Sequence, residues 1–187
     1  MSSQAAPGQL ELIRQFVNTL DVELGADDLD SPEALGAWLN DRGLLPQEAR
    51  IGRGALRRAI ELREALRRLL LANNGAALER GAIETLNEAT SYSTLAVRFD
   101  LDEGKPALAA RGSGPGAVVA PIVAIVYEAM VNGTWGRLKA CLADDCQAAF
   151  YDHSKNRSGT WCDMAVCGNR AKVRAHRERR TRSGSGS

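Results

Sequence analysis

Four cysteines stand within 27 residues of one another as Cys141-x4-Cys146-x15-Cys162-x4-Cys167, and the chain has no others. Two thiolates a few residues apart can grip one ion on a tight turn, and a second such pair completes the four-sulfur tetrahedral shell that zinc accepts without ligand-field cost. The spacing predicts one zinc ion per chain, held by Cys141, Cys146, Cys162 and Cys167. Two disulfides are the competing reading, disfavoured where thiols are kept reduced. His153 and His176 could replace one sulfur, although four sulfurs already fill the site. A closed shell leaves no position for an activated water, so the ion is expected to be structural and the protein not to be an enzyme.

No Ser/His/Asp or Cys/His arrangement suited to nucleophilic catalysis can be assembled from the rest of the chain. Gly112-x-Gly114-x-Gly116 has the look of a phosphate-binding turn, but no parallel βαβ unit surrounds it and Pro115 removes a donor, so a plain loop is expected. Charge is more informative. Residues 1–136 carry 13 Lys or Arg against 18 Asp or Glu, while residues 137–187 carry 11 against 5. An acidic body with a basic appendage is the usual signature of a nucleic-acid or anion-binding module. Within the appendage Arg170, Arg174 and Arg177 recur at i, i+4 and i+7, with Lys172, Arg179, Arg180 and Arg182 widening the stripe. Lys155, Asn156 and Arg157 precede it on a loop. Asn169 and Arg170 are of the types that pair bidentately with adenine and guanine. A solubilising helix end, with cations suited to the macrodipole, is the plainer reading of the stripe.

These groups need elements to hold them. Leu10, Ile13, Phe16, Val17 and Leu20 recur at helical intervals, and Ser31-Pro32-Glu33 supplies a capping serine and a proline at the first position of a helix carrying Leu35, Trp38 and Leu39. Gly43 is placed to end that helix, and Pro46 to open the longest one, with Leu56, Ile60, Leu62, Leu66, Leu69 and Leu70 on its apolar side. Its arginines, Arg67 and Arg68 among them, read as a solvated face paired with Glu64. Asn73-Asn74-Gly75 breaks it, and a further helix covers residues 82–89. From Thr94 the period shortens: Leu95, Val97 and Phe99 alternate with Ala96 and Arg98, then Asp102-Glu103-Gly104-Lys105 precedes a second short apolar run at 107–110, which predicts a β-hairpin. Residues 117–131 are apolar nearly all round and are expected in the core or in a dimer interface. This run is too short for a bilayer and contains Glu128. No secretory signal is visible at the start, so a cytoplasmic, nucleoid-associated protein is expected. Trp38, Tyr92 and Tyr127 read as core or rim aromatics. Near the cysteines, Ala148-Ala149-Phe150-Tyr151 has strand character and Asp163 can cap a helix from Met164, so knuckle, hairpin and helix describe a treble-clef-like finger. The fold class is mostly α (α+β): a helical N-terminal domain, 1–136, with one β-hairpin, a small four-cysteine finger, 137–182, and a flexible Gly/Ser tail, 183–187.

Phe150-Tyr151-Asp152, Asn156-Arg157-Ser158, Trp161-Cys162, Met164-Ala165-Val166 and above all Cys167-Gly168-Asn169-Arg170-Ala171-Lys172 resemble the CGNR zinc-finger family. Phe16-Val17-Asn18-Thr19, Leu35-x2-Trp38-Leu39, Gly43-Leu44-Leu45, Leu62-Arg63-Glu64-Ala65-Leu66-Arg67 and Leu86-Asn87 are similar to the ABATE-type domain that precedes this finger in bacterial stress-response transcription regulators. Gly159-Thr160 stand where that finger often carries two basic residues, which lowers the positive charge of its loop. The resemblance implies a regulator whose finger contacts double-stranded DNA, whose N-terminal domain senses a small-molecule effector or forms a homodimer, and which contacts the transcription machinery. Asn18, Arg63 and Arg67, set among the family-like segments, are candidates for a polar ligand pocket. An RNA- or ribosome-associated zinc protein and a protein-interaction module of the transcription machinery are the alternatives.

Overall fold

The computed structural model describes residues 5–45, 50–99, 106–111 and 118–184. Helix α1 (Leu10–Val17) leads through a two-rung ladder, β1 (Leu20–Asp21) and β2 (Ala26–Asp27), into α2 (Pro32–Asn40), α3 (Arg53–Asn73) and α4 (Arg80–Tyr92). The hairpin β3 (Thr94–Phe99) and β4 (Pro106–Arg111) and the helix α5 (Ala120–Val131) follow. A 3-10 turn at Trp135–Arg137 then enters the short strands β5 (Leu138–Ala140) and β6 (Ala149–Tyr151), and α6 (Asn169–Gly184) ends the described chain.

Local chemistry explains the boundaries. Ser31 Oγ accepts from the Ala34 amide at 3.1 Å with Pro32 at the first helical position, which caps α2 as its sequence predicts. Gly43, at φ +65°, reverses the chain behind it. Helix α1 stops before Leu20, because Leu20 pairs with Asp27 in β1–β2; two-residue strands carry no alternation that a sequence could display. The predicted role of Pro46 and the turn at 102–105 lie outside the described residues, as do the 112–116 loop and Ser185 to Ser187. Ser183 and Gly184 continue α6 rather than forming a separate tail.

Ile13, Phe16, Leu35, Leu62, Leu66, Leu70 and Ile122 are enclosed at the centre of the body, where burial of each large aliphatic or aromatic side chain contributes about 1.5–3 kcal/mol. The same apolar cluster extends into β5 and β6 through Leu138, Ala140 and Ala149. The finger's hairpin is thus built onto α3 and α1 and shares their core. Helix α5 is mostly enclosed, yet exposes Tyr127, Met130 and Val131. Trp38 packs on Phe16 with ring centroids 5.5 Å apart, while Tyr92 sits at the rim under Arg58. Among the described residues no helix is long and apolar enough to cross a membrane.

The arginines of α3 divide. Arg57 and Arg68 are solvated, but Arg63 and Arg67 are each only 2% exposed, which corrects the expectation of a uniformly solvated face. Their guanidinium groups reach backbone and carboxylate partners far along the chain that a local charge pattern does not reveal.

Candidate metal centre and its basic helix

Each half of the cysteine cage is set by a local backbone device. Cys141 follows β5 directly and its amide donates to the Ala148 carbonyl at 3.0 Å, so the knuckle is the turn of the β5–β6 hairpin. The amides of Cys146 and Gln147 both donate to the Ala143 carbonyl, at 2.9 and 3.1 Å, and Gln147 takes a left-handed φ of 50°. That conformation costs a non-glycine residue about 1–2 kcal/mol. It is fixed from outside: Arg67 Nη1 donates to the Gln147 carbonyl at 3.0 Å.

In the second half Asp163 accepts from the Ala165 and Val166 amides at 2.7 and 3.2 Å, starting a single wide π-type turn, Met164–Gly168, that carries Cys167 into α6. A Cβ on Gly168 would collide with the Met164 side chain and press on the Trp161 ring at 3.2 Å, so close approach requires glycine here.

The four sulfurs all lie within 4.8 Å of one another, Cys146 to Cys162 at 3.5 Å and Cys162 to Cys167 at 3.7 Å. Sulfurs at about 2.3 Å from a tetrahedral zinc are about 3.8 Å apart, whereas a disulfide needs about 2.05 Å. The cage fits one structural zinc ion, and the cysteines are free thiols. Crowding makes the thiols oppose one another's ionisation. The Cys141 proton is lost most readily, helped by hydrogen bonds from Cys146 and Cys162, and these bonds to Cys141, followed by its charge, push Cys146 up to about 12 and raise Cys162 as well. A divalent cation reverses that balance and lets all four serve as thiolates. The Ala143 and Cys162 amides donate to the Cys141 sulfur, the Ala148 amide to that of Cys146, and Arg170 Nη2 approaches the Cys167 sulfur at 3.3 Å. These donors offset the net charge of about −2 that zinc with four thiolates carries.

Behind the cage lies a buried ion pair. Lys139 Nζ donates to Asp152 Oδ2 at 2.7 Å and to the carbonyls of Arg157 and Gly159 at 2.7 and 2.9 Å. Burial alone would raise the Asp152 pKa, but Lys139, the Ser154 hydroxyl and the Ser154 and Gly159 amides outweigh it and hold the carboxyl well below the usual carboxylate range. A side chain at Gly159 would meet Asp152 Oδ1 at 2.8 Å, so close approach to this buried carboxylate requires glycine here. The pair orders the loop presenting Lys155, Asn156 and Arg157, all exposed.

On α6, Asn169, Lys172, Arg174 and Arg177 are exposed. Asn169 is turned back onto its own helix, donating to the Ala165 carbonyl at 2.8 Å. Arg170 differs from the free base reader that its type suggests. It grips Glu23, between β1 and β2, at 2.6 and 3.1 Å and lies 3.5 Å from Asp145. Arg174 is 3.8 and 4.0 Å from Asp144 and Asp145, because the acidic knuckle lies alongside this face of the helix. Neither histidine joins the cage: His153 packs on Tyr151, and His176 is exposed on α6.

Arg63 and Arg67 are buried and Asn18 is half-buried, and the donors of all three are taken up by protein partners. Arg63 binds Asp27 bidentately at 2.6 and 2.9 Å and also reaches Thr19 and Glu64. Arg67 joins the Val17, Leu20 and Gln147 carbonyls. Asn18 exchanges two hydrogen bonds with the Ala149 backbone, at 2.9 and 2.7 Å. Sequence reasoning passed over the residues that complete this seam. Asn73 donates to the Trp135 and Leu138 carbonyls, and Asn74 to those of Ala140 and Thr160, although the pair reads in sequence only as a helix breaker. Lys139 was also missed; its one signal is a lone charge within an apolar strand.

Residues 137–180 match the model of the CGNR zinc finger, and residues 10–133 match that of ABATE, described as a putative stress-induced transcription regulator. Neither description is of an enzyme. No curated protein is similar enough to count as a match. With two thirds of its length matched by one model and the sulfur cage lying inside the other, the chain belongs to the ABATE family and carries a CGNR zinc finger at its C-terminal side.

Proposed function

We propose that the protein is a DNA-binding transcription regulator whose finger contacts duplex DNA while the N-terminal body senses an effector or joins two copies. The observation that carries this reading is α6. Its exposed Lys172, Arg174, Arg177 and Arg179 stand on a helix whose start is pinned by Cys167 and the Asp163 cap, a rigid cationic rod of the kind that follows a phosphate backbone. Lys155 and Arg157, on the ordered loop, and Lys172 have no acidic partner among the described residues and supply the first contacts. Arg170 and Arg174 are restrained by Glu23, Asp144 and Asp145, so a movement of the β1–β2 loop, driven by an effector with different affinity for two states of the body, would change the charge that α6 offers. Such a protein acts at the nucleoid of a bacterial cytoplasm.

These six cations engaging about 4 or 5 phosphates give a log-log salt slope of roughly −4. Replacing Arg174 and Arg177 together with alanine in the zinc-loaded full chain is expected to reduce that slope by about two units and to weaken all duplexes alike; an unchanged slope sinks the assignment of α6. Preference for single-stranded RNA in the same titration would favour the ribosome-associated reading. One observation supports a protein-contact role instead. Met164, Val166 and Val173 are exposed, and the latter two border an open groove of about 720 Å³ beside Arg170, Arg174 and Arg177. Stable polymerase binding without DNA would identify that role.

A further inference from the structure

Among the described residues the β3–β4 hairpin has one strand edge covered and one without a strand neighbour. The Leu108 amide of β4 donates to Glu128 Oε1 of α5 at 3.0 Å, so it points out of the hairpin and that outer edge is closed by the helix. In an antiparallel ladder such groups alternate, and residues opposite one another share the same sense. Leu108 lies opposite Val97, so Leu95, Val97 and Phe99 direct their amides and carbonyls away from β4. Pro106, which has no amide to give, lies opposite Phe99, at another position where the ladder asks for none. Among the described residues β3 has no strand neighbour on that outer side.

A bare edge is commonly blunted by proline, a bulge or several charges. Thr94–Phe99 has none of these except Arg98. Instead Leu95, Val97 and Phe99 share one apolar face; Leu95 packs on the core while Val97 and Phe99 stay 61% and 73% exposed. We propose that β3 pairs antiparallel with β3 of a second copy about a two-fold axis at Val97, making a continuous four-stranded sheet. In that register Val97 faces Val97 of the partner subunit, Phe99 faces the partner's Leu95, and Arg98 faces the partner's Ala96. Every outward amide and carbonyl of the three alternate residues finds its counterpart. No arginine meets an arginine, and each overhanging Phe99 is laid against the core-anchored end of the other hairpin. The contact is isologous and closes on itself. Registers that slip by one residue would break this match by turning the paired apolar faces apart.

The test uses the zinc-loaded full chain. Sedimentation at increasing concentration is expected to show a dimer, and Val97→Lys, which sets two ammonium groups on the axis, is expected to leave a monomer with unchanged helical circular dichroism. Paired residues on the axis sit about 5.5 Å apart at Cα, within disulfide reach. Val97→Cys should therefore crosslink under mild oxidation while Arg98→Cys, offset from its own copy, should not. The crosslinking pair decides the matter if Val97→Lys fails to fold. A wild-type monomer throughout the range, a Val97→Lys dimer, or equal crosslinking of the two cysteine variants overturns the proposal; the monomer result would leave the edge for an extended segment of another protein.

Discussion

In the body, the most enclosed large side chains are Ile13, Phe16, Leu62 and Leu66, with the cations Arg63 and Arg67 among them; in the finger, enclosure reaches Phe150, Cys141 and Cys167 and the Lys139–Asp152 pair. The first region is held by area removed from water, which accumulates gradually over many residues. The second is too small to do this and relies on a few strong, directional bonds that form together or not at all. Between them Asn18, Arg67, Asn73 and Asn74 reach from the body to backbone groups of the finger. The difference teaches that one chain can contain two stabilities, joined by side-chain-to-backbone bonds whose number and geometry set how far each depends on the other.

Removing the metal should separate the two regions most sharply. Structural zinc contributes about 10–16 kcal/mol of binding free energy in isolated finger peptides. Chelation, or Cys162→Ser, is expected to expose residues 152–184 to protease while α1–α5 keep their circular dichroism. Because Leu138, Ala140 and Ala149 belong to the body's core, the β5–β6 ladder should survive in hydrogen exchange. Its loss would show that the two regions fold as one.

Next in size is Asp152→Ala, which strands a buried ammonium at a cost of about 3–5 kcal/mol. Leu66→Ala in the body should cost a similar 2–5 kcal/mol by opening a cavity. The contrast lies in zinc affinity: the first variant should lose metal to a chelator sooner, whereas the second should lower the melting temperature with little change in the rate of metal loss.

Cutting the seam is a smaller change. Asn74→Ala removes both donors from the Ala140 and Thr160 carbonyls, worth about 1–3 kcal/mol if they are left unsatisfied. A single cooperative melt should then resolve into two steps, and a melt that stays single would mean that apolar contacts do the joining.

Much of this division is legible in the residues. Helical periods mark α1 to α5, Ser31-Pro32 marks a start, alternation marks β3, and four cysteines at paired spacing announce the cage. These signals are local, set by 3.6- and 2-residue repeats or by neighbours within a turn. Arg63 and Asp27 are 36 residues apart and Arg67 and Gln147 are 80 apart, so nothing near either arginine distinguishes it from solvated Arg68. Glu23 and Arg170 likewise meet over 147 residues. The stripe on α6 was visible as charge, but what opposes that charge depends on the packed fold.

The smallest expected effect concerns acid. Burial would raise the Glu11 pKa, but hydrogen bonds from Arg14, the Ala6 amide and Gln15 lower it to about 2 from an ordinary 4.5. Its folded value is the lower one, so its contribution is complete above about pH 4.5 and fades as pH falls toward 2. Being partly solvated, the pair is worth at most about 1 kcal/mol. Glu11→Gln should thus melt slightly below the wild type at neutral pH, and the gap should close near pH 2. A gap that persists in acid would place the loss in packing and not in charge.

The amide of Asn18 does for β6 what a neighbouring strand does, giving one donor and one acceptor to Ala149 at a sequence separation of 131. Contacts of such span are slow to find, because a long loop must close before they reward the chain. During synthesis Asn18 emerges long before its counterpart, which follows it by 131 residues. Docking of the finger's hairpin is therefore a late event in the life of each molecule, and the sulfur cage completes only after the body has had time to form the surface that receives it.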